Sequence, residues 1–178
     1  YEPTVIVAES FEPQGIYADS RVTLKRIPNV PVHNEVKKDE SFDDDVKKIE
    51  VALRDILKDI DVVITHDVIY QNAALKHNLA ARQVADGLPG VKWLHWIHSA
   101  TSPVTLENLR PIFTDKYLEV LTKPFPNSFY IFFNHYSIPR IAKNFQVSED
   151  IVRVVHHPSD LVDVFGLTEA VAKLNIDK

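Results

Sequence analysis

Apolar positions along this chain change period several times, and each change marks an element. Residues 4–8 (Thr-Val-Ile-Val-Ala) are a short β-branched run without helical period, which reads as a buried strand. Pro13 and Gly15 interrupt the chain after it. Residues 21–27 alternate, with Val22, Leu24 and Ile27 apolar, and Pro28 and Pro31 end that second strand. Residues 33–45 are polar and acidic and read as a loop. Ser41 stands where it would cap a helix, with acids behind it to suit the helix dipole. Val46, Ile49, Leu53, Ile56, Leu57 and Ile60 then fall on one helical face.

The alternation continues. Residues 61–65 predict a strand, and Ala73, Ala74, Leu79, Ala80 and Val84 predict a helix stopped by Gly87 and Pro89. Residues 91–97 predict an aromatic strand. Residues 99–127 carry Pro103, Pro111, Pro124 and Pro126, with a helix near 115–122. Strands are expected at 129–133 and 153–155, a helix at 137–144 with Pro139 in its first turn, and a short helix from Thr168. Strands alternating with helices predict an α/β fold, Rossmann-like and three-layered (α/β/α), with a mainly parallel sheet and right-handed crossovers.

Such a sheet binds ligands outside the carboxyl ends of its strands. One strand runs Asp61-Val-Val-Ile-Thr-His66-Asp67, delivering a His and an Asp to that edge. The reading without function makes Asp67 a helix cap and His66 a surface imidazole. The next strand delivers His95 and His98, followed by Ser99. Positions i and i+3 of a strand face opposite sides, so only one of these two imidazoles addresses the cleft. His95, between Trp93 and Trp96, reads as packed; His98 is the ligand-facing candidate. Asn134 ends the strand at 129–133 and reads as a helix cap bordering the same edge. His156-His157-Pro158-Ser159-Asp160 reads locally as a turn.

Composition narrows the function. At 178 residues, with 45% apolar and 25% charged residues, the chain suits one ordinary globular domain. No apolar run approaches the ~20 residues of a spanning helix. The absence of Cys removes disulfides, thiolate metal sites and Cys nucleophiles, and fits a cytoplasmic setting. A net charge of -5 with scattered Lys and Arg argues against nucleic acid as a partner. Neither a G-x-G-x-x-G loop, a Walker loop nor a G-x-S-x-G elbow is present. There is no Met, and the chain opens close to a strand, so it reads as a fragment.

The order of these pieces resembles the N-terminal domain of retaining GT-B glycosyltransferases, the large group 1 family. The run from 21 to 67 is similar to that family's lead into a strand ending in His. The stretch 91–102 is similar to its next strand, which ends in His followed by Asp, Ser or Thr. Residues 129–145 resemble a further strand and helix, and 147–160 resemble the run into the interdomain hinge. The resemblance implies one Rossmann-like domain over residues 1–165, with 166–178 leading towards a second domain. Residues 4–8 match the family's second strand, its first strand and helix being absent.

The resemblance also implies sugar transfer from a nucleotide-sugar donor to an unknown acceptor, with retention and without a metal or other cofactor. His66 is then the catalytic-centre residue, holding the donor sugar. Asp67, His98, Ser99 and Asn134 line the substrate cleft, and Asp160 is the hinge Asp. Departures are plain: His157-Pro158-Ser159 replaces Asn-Gly-Val, and no two Glu stand eight apart as in E-x7-E. The family's phosphate clamps belong to the missing C-terminal domain, so this chain alone is expected to be inactive. An exposed interdomain face implies weak self-association, and some relatives of the family work at membranes, so a peripheral membrane location stays open beside a free cytoplasmic one. Two other readings remain: a non-catalytic sugar- or nucleotide-binding module, and a metal-dependent hydrolase using His66, Asp67 and His98.

Overall fold

The first helix carries three acids in its first turn and an apolar stripe that it buries in the core. The computed structural model describes residues 3–31, 37–100, 106–114, 117–118 and 123–156. In order, these give β1 (Thr4–Ala8), β2 (Thr23–Ile27), α1 (Phe42–Leu57), β3 (Val62–His66), α2 (Leu75–Gly87), β4 (Lys92–Trp96), the single turn α3 (Leu106–Leu109), β5 (Ser128–Phe132), α4 (Ile138–Phe145) and β6 (Val152–Val154). The protein is α/β with parallel sheets, as the alternation of periods implies, and is consistent with a Rossmann-like layered fold.

The parallel strands divide into two sheets. β1 pairs with β2, and β3-β4-β5-β6 form a four-stranded sheet in that order. β3 and β4 run in register from Val62 opposite Lys92 to His66 opposite Trp96. One face of the larger sheet carries Trp93, His95 and Tyr130, all buried, and packs against the helices. α1 supplies Phe42, Ile49, Leu53 and Leu57 to that core, and α2 supplies Leu79, Ala80 and Val84. α4 lies on the same side, since Phe145 packs against Tyr130 with ring centroids 4.9 Å apart. An apolar cavity of about 750 Å3 separates β1 from β3 beneath α1.

Some element ends differ from the sequence reading, for local reasons. β2 begins at Thr23 rather than 21 because Arg21 folds back, its guanidinium donating to Asp19 at 2.7 Å. The acidic stretch read as loop to residue 45 is helical from Phe42. Ser41 sits at the cap position, but its hydroxyl donates to the Asp45 carboxylate at 2.6 Å instead of accepting a backbone N–H. Pro139 lies in the first turn of α4, where its missing N–H costs nothing. Of the helix expected near 115–122 only 117–118 is described. The tail from 168, His157, the hinge residue Asp160 and the segment 166–178 lie outside the described residues.

Two cations are buried and answered. The Lys76 ammonium donates to Asp39 and Asp45, each at 2.9 Å, and both the Lys76 and Asp45 side chains are nearly solvent-free. Hydrogen bonds from Ser41 and then Lys76 hold the Asp45 carboxyl below its ordinary range. The Arg82 guanidinium donates to Asn78 at 2.9 Å and to the Lys123 carbonyl, and lies over the Phe125 ring. Removing one member of a buried pair strands the other. Asp45→Ala is therefore expected to lower unfolding free energy by about 3 kcal/mol in urea titration. Lys47→Ala, which breaks only the exposed Lys47–Glu50 pair, should cost less than about 0.5 kcal/mol.

Candidate binding edge at the carboxyl ends of the parallel strands

β3 is five residues long, and its side chains alternate between two environments. Val63 and Thr65 face the helices; Val62, Ile64 and His66 face the other side, where Val62 and Ile64 remain 47% and 55% exposed. Because β4 runs parallel in fixed register, Trp96 stands beside His66, and the two rings stack with centroids 5.7 Å apart. The chain leaves β4 one residue later, which brings His98 over the same point. Its Nε2 lies 3.0 Å from His66 Nδ1, and the two imidazoles are stacked at 5.3 Å. One ring donates and the other accepts. Both residues are exposed.

His95 behaves in the opposite way. It is fully buried, and its Nδ1 shares a hydrogen bond of 2.8 Å with the Thr65 hydroxyl across the strands. Burial, and then the Arg82 charge, push its pKa down to about 3, so the ring stays neutral. Of the two His in the H-x-x-H spacing, one is core and one is on the edge, as the strand period requires.

Asp67 follows His66 in the left-handed region, with φ of 58°, a conformation Asp tolerates better than most side chains. That turn aims its carboxylate at the neighbouring strand exit. Oδ1 accepts the His98 N–H at 3.0 Å and the Tyr70 hydroxyl proton. The Tyr70 oxygen in turn accepts the N–H groups of His98 and Ser99, at 3.2 and 3.1 Å. Burial, then the bond to Asp67, raises the Tyr70 pKa to about 12. Asp67 is thus committed to holding the loop that carries His98 and Ser99. It does not cap α2, whose N-cap is Ala74. From the far side, Asn144 of α4 donates to the Ala100 carbonyl at 2.6 Å, so the loop is held from two directions.

Asn134 ends β5 and accepts the Ser137 N–H at 3.0 Å, the capping role read from the sequence. His156, just past β6, donates from Nδ1 to the Phe133 carbonyl at 2.9 Å. The structure therefore brings His66, Asp67, His98 and Ser99 together, leaves Asn134 at the neighbouring strand end as a cap, and does not describe Asp160. Among the described residues, no three His, Asp or Glu side chains form a metal-binding group. Tyr70 and Trp96 are the members of the edge that the site reading missed. Tyr70 stands three residues after Asp67, the i to i+3 spacing of a turn, but nothing in the sequence shows what its hydroxyl meets.

No protein family, no curated protein and no solved structure matches the chain.

Two titrations follow from this geometry. His95 has a folded pKa depressed from 6.5 to about 3, so its contribution to stability is complete above pH 6.5 and falls away as pH drops towards 3. His95→Phe should flatten that part of the stability–pH curve, measured by urea unfolding at successive pH values. Tyr70 has its pKa raised from 10.0 to about 12, so its contribution is complete below pH 10 and is lost as pH rises to 12. Tyr70→Phe should remove that alkaline loss. It should also speed amide exchange at His98 and Ser99, at a cost of about 1–3 kcal/mol at neutral pH.

Proposed function

We propose that the edge formed by His66, His98 and Ser99 is the sugar-facing wall of a retaining, nucleotide-sugar-dependent glycosyltransferase cleft, of which this chain supplies the acceptor-side half. The observation that carries the reading is the exposed, hydrogen-bonded imidazole pair delivered by two adjacent parallel strands. Imidazole nitrogens and a serine hydroxyl are groups suited to sugar hydroxyls. They are positioned before any ligand arrives, since Asp67 and Tyr70 fix the loop that bears His98 and Ser99.

In this reading His66 donates to a hydroxyl of the donor sugar, and His98 and Ser99 line the floor beside it. Asp67 acts one step back, as a positioning residue. Asn134 borders the cleft while its side chain caps the chain leading into α4. The leaving diphosphate needs cationic donors from a second domain, and such electrostatic stabilisation is usually the largest catalytic contribution. The isolated 178-residue chain is accordingly a binding half without turnover.

The metal-hydrolase reading loses support from the same geometry. Among the described residues no third His, Asp or Glu joins His66 and His98 in a metal-binding group, and Asp67 Oδ1 already accepts a backbone N–H and a phenol. A non-catalytic sugar-binding module would use the same edge, and the intact mass of the protein at its source separates the two. About 40 kDa or more, room for two such domains, favours the transferase; a mass near 20.3 kDa favours the module.

Imidazole signals of 13C-labelled protein titrated with UDP-glucose, GDP-mannose and their free sugars provide the test of the site. His66 and His98 should shift saturably while buried His95 stays fixed, and His66→Ala should abolish the response. Sugar transfer by this chain alone would overturn the half-cleft reading. An absence of any response at His66 and His98 would remove the sugar site.

A further inference from the structure

The contact between His66 and His98 joins two different ring nitrogens, and that asymmetry decides where the hydrogens sit. Nδ1 of His66 lies 3.0 Å from Nε2 of His98. A neutral imidazole has one N–H and one lone pair, so the contact needs a hydrogen from one ring and a lone pair from the other. Two arrangements satisfy it. In the first, His98 donates from Nε2, and His66 accepts at Nδ1 and keeps its own hydrogen on Nε2. In the second, His66 donates from Nδ1, and His98 accepts at Nε2 and keeps its hydrogen on Nδ1. A free neutral histidine side chain favours the hydrogen on Nε2. The first arrangement gives both rings that form, and the second denies it to both. Two preferences therefore act in the same direction.

Both rings are placed by contacts other than the bond between them. His66 stands opposite Trp96 in the β3–β4 register, and its ring lies against the indole at an interplanar angle of 15°. His98 is carried by a backbone N–H that donates to Asp67 Oδ1 at 3.0 Å and to the Tyr70 oxygen at 3.2 Å. The bonds at Ser99 and Ala100 hold the following residues of the same loop. The two nitrogens thus meet without either ring being free to choose another partner geometry. His95 offers the contrast. Its Nδ1 meets the Thr65 hydroxyl, which can donate or accept and so dictates neither form.

We infer that His98 is a positioning residue that holds His66 in its Nε2–H form, so that His66 meets a ligand as a hydrogen-bond donor only. Which nitrogen of a histidine carries the proton is set by the bond that the other nitrogen makes. The ligand must then bring an oxygen lone pair to His66, as a sugar hydroxyl or ring oxygen does; an ammonium group, which has donors alone, is refused. This consequence for the ligand rests on the sugar-site reading above, whereas the placing of the hydrogen rests on the geometry of the pair.

Imidazole 15N signals read the hydrogen directly. At about pH 8.5, above the ordinary imidazole range, wild-type His66 should show its hydrogen on Nε2 and a bare Nδ1. Gln and Glu side chains have the same length, but an amide donates and a carboxylate only accepts. His98→Gln should leave His66 in the Nε2–H form, and His98→Glu should move the hydrogen to Nδ1. Neither substitution touches the backbone bonds to Asp67 and Tyr70, and unchanged His95 signals verify the fold. In titrations with free glucose and mannose, which give the new carboxylate no charge to repel, His98→Glu should bind about ten-fold more weakly than wild type. His98→Gln should recover most of that loss. A hydrogen on Nδ1 of His66 in the wild-type protein would overturn the inference, and so would a tautomer that ignores the exchange of Gln for Glu. Equal sugar binding by the two variants would overturn it too. The expected tautomers with no response to any sugar would uphold the placing of the hydrogen and end the sugar reading alone.

Discussion

One buried hydrogen bond sets the register on which the site depends. Thr65 and His95 face each other across β3 and β4, 2.8 Å apart, in a place with no water to compete. A slip of one residue would put Ile64 or His66 opposite His95, strand two polar groups in the core and reverse every side chain of β3. With the register held, His66 falls beside Trp96, and the next residues of the β4 exit bring His98 over it. The imidazole that burial keeps neutral near pH 7 places the two that meet solvent.

The second level of control is the turn after β3. A left-handed Asp67 costs some backbone energy, and in return its carboxylate reaches across to the neighbouring strand exit. Tyr70 adds a hydroxyl that donates once and accepts two N–H groups. The backbone donors of His98 and Ser99 are used up in this way, so these amides are not offered to a ligand. That distinguishes the edge from phosphate sites, which rely on free backbone N–H groups. It agrees with the absence of glycine-rich loops in the sequence.

Much of this was legible in the residues, and the rest was not, for physical reasons. Strands and helices were visible because burial on one or both faces imposes a period. The division of His95 from His98 was visible because a strand alternates. Asn134 announced itself as a cap through chemistry local to four residues. The role of Asp67 was hidden because its partners are 31 and 3 positions away, and only the strand register joins them. Ser41 was placed correctly and its bond misjudged, since an acid four residues on competes with the backbone for its hydroxyl. Buried Lys76 and the Arg82 bond to the Lys123 carbonyl were invisible for the same reason as Asp67: the answering groups lie on other elements. The split into two sheets could not be read at all, since a sequence shows strands and not which of them lack a neighbour.

That split has a bearing on how the chain loses its structure. Among the described residues, β1 and β2 form a ladder with each other and with no other strand, and α1 packs both against β2 and against α2. Cooperativity travels through shared burial, so the two-stranded ribbon forms a weaker cooperative unit than the four-stranded sheet with its helices. The ribbon will let go first on heating or in denaturant, while the sheet bearing His66 and His98 stays intact. A melting curve of this chain is then the sum of two events. The unfolding free energy that Lys76–Asp45, His95 and Tyr70 bear on is that of the second event, the loss of the larger sheet with its helices.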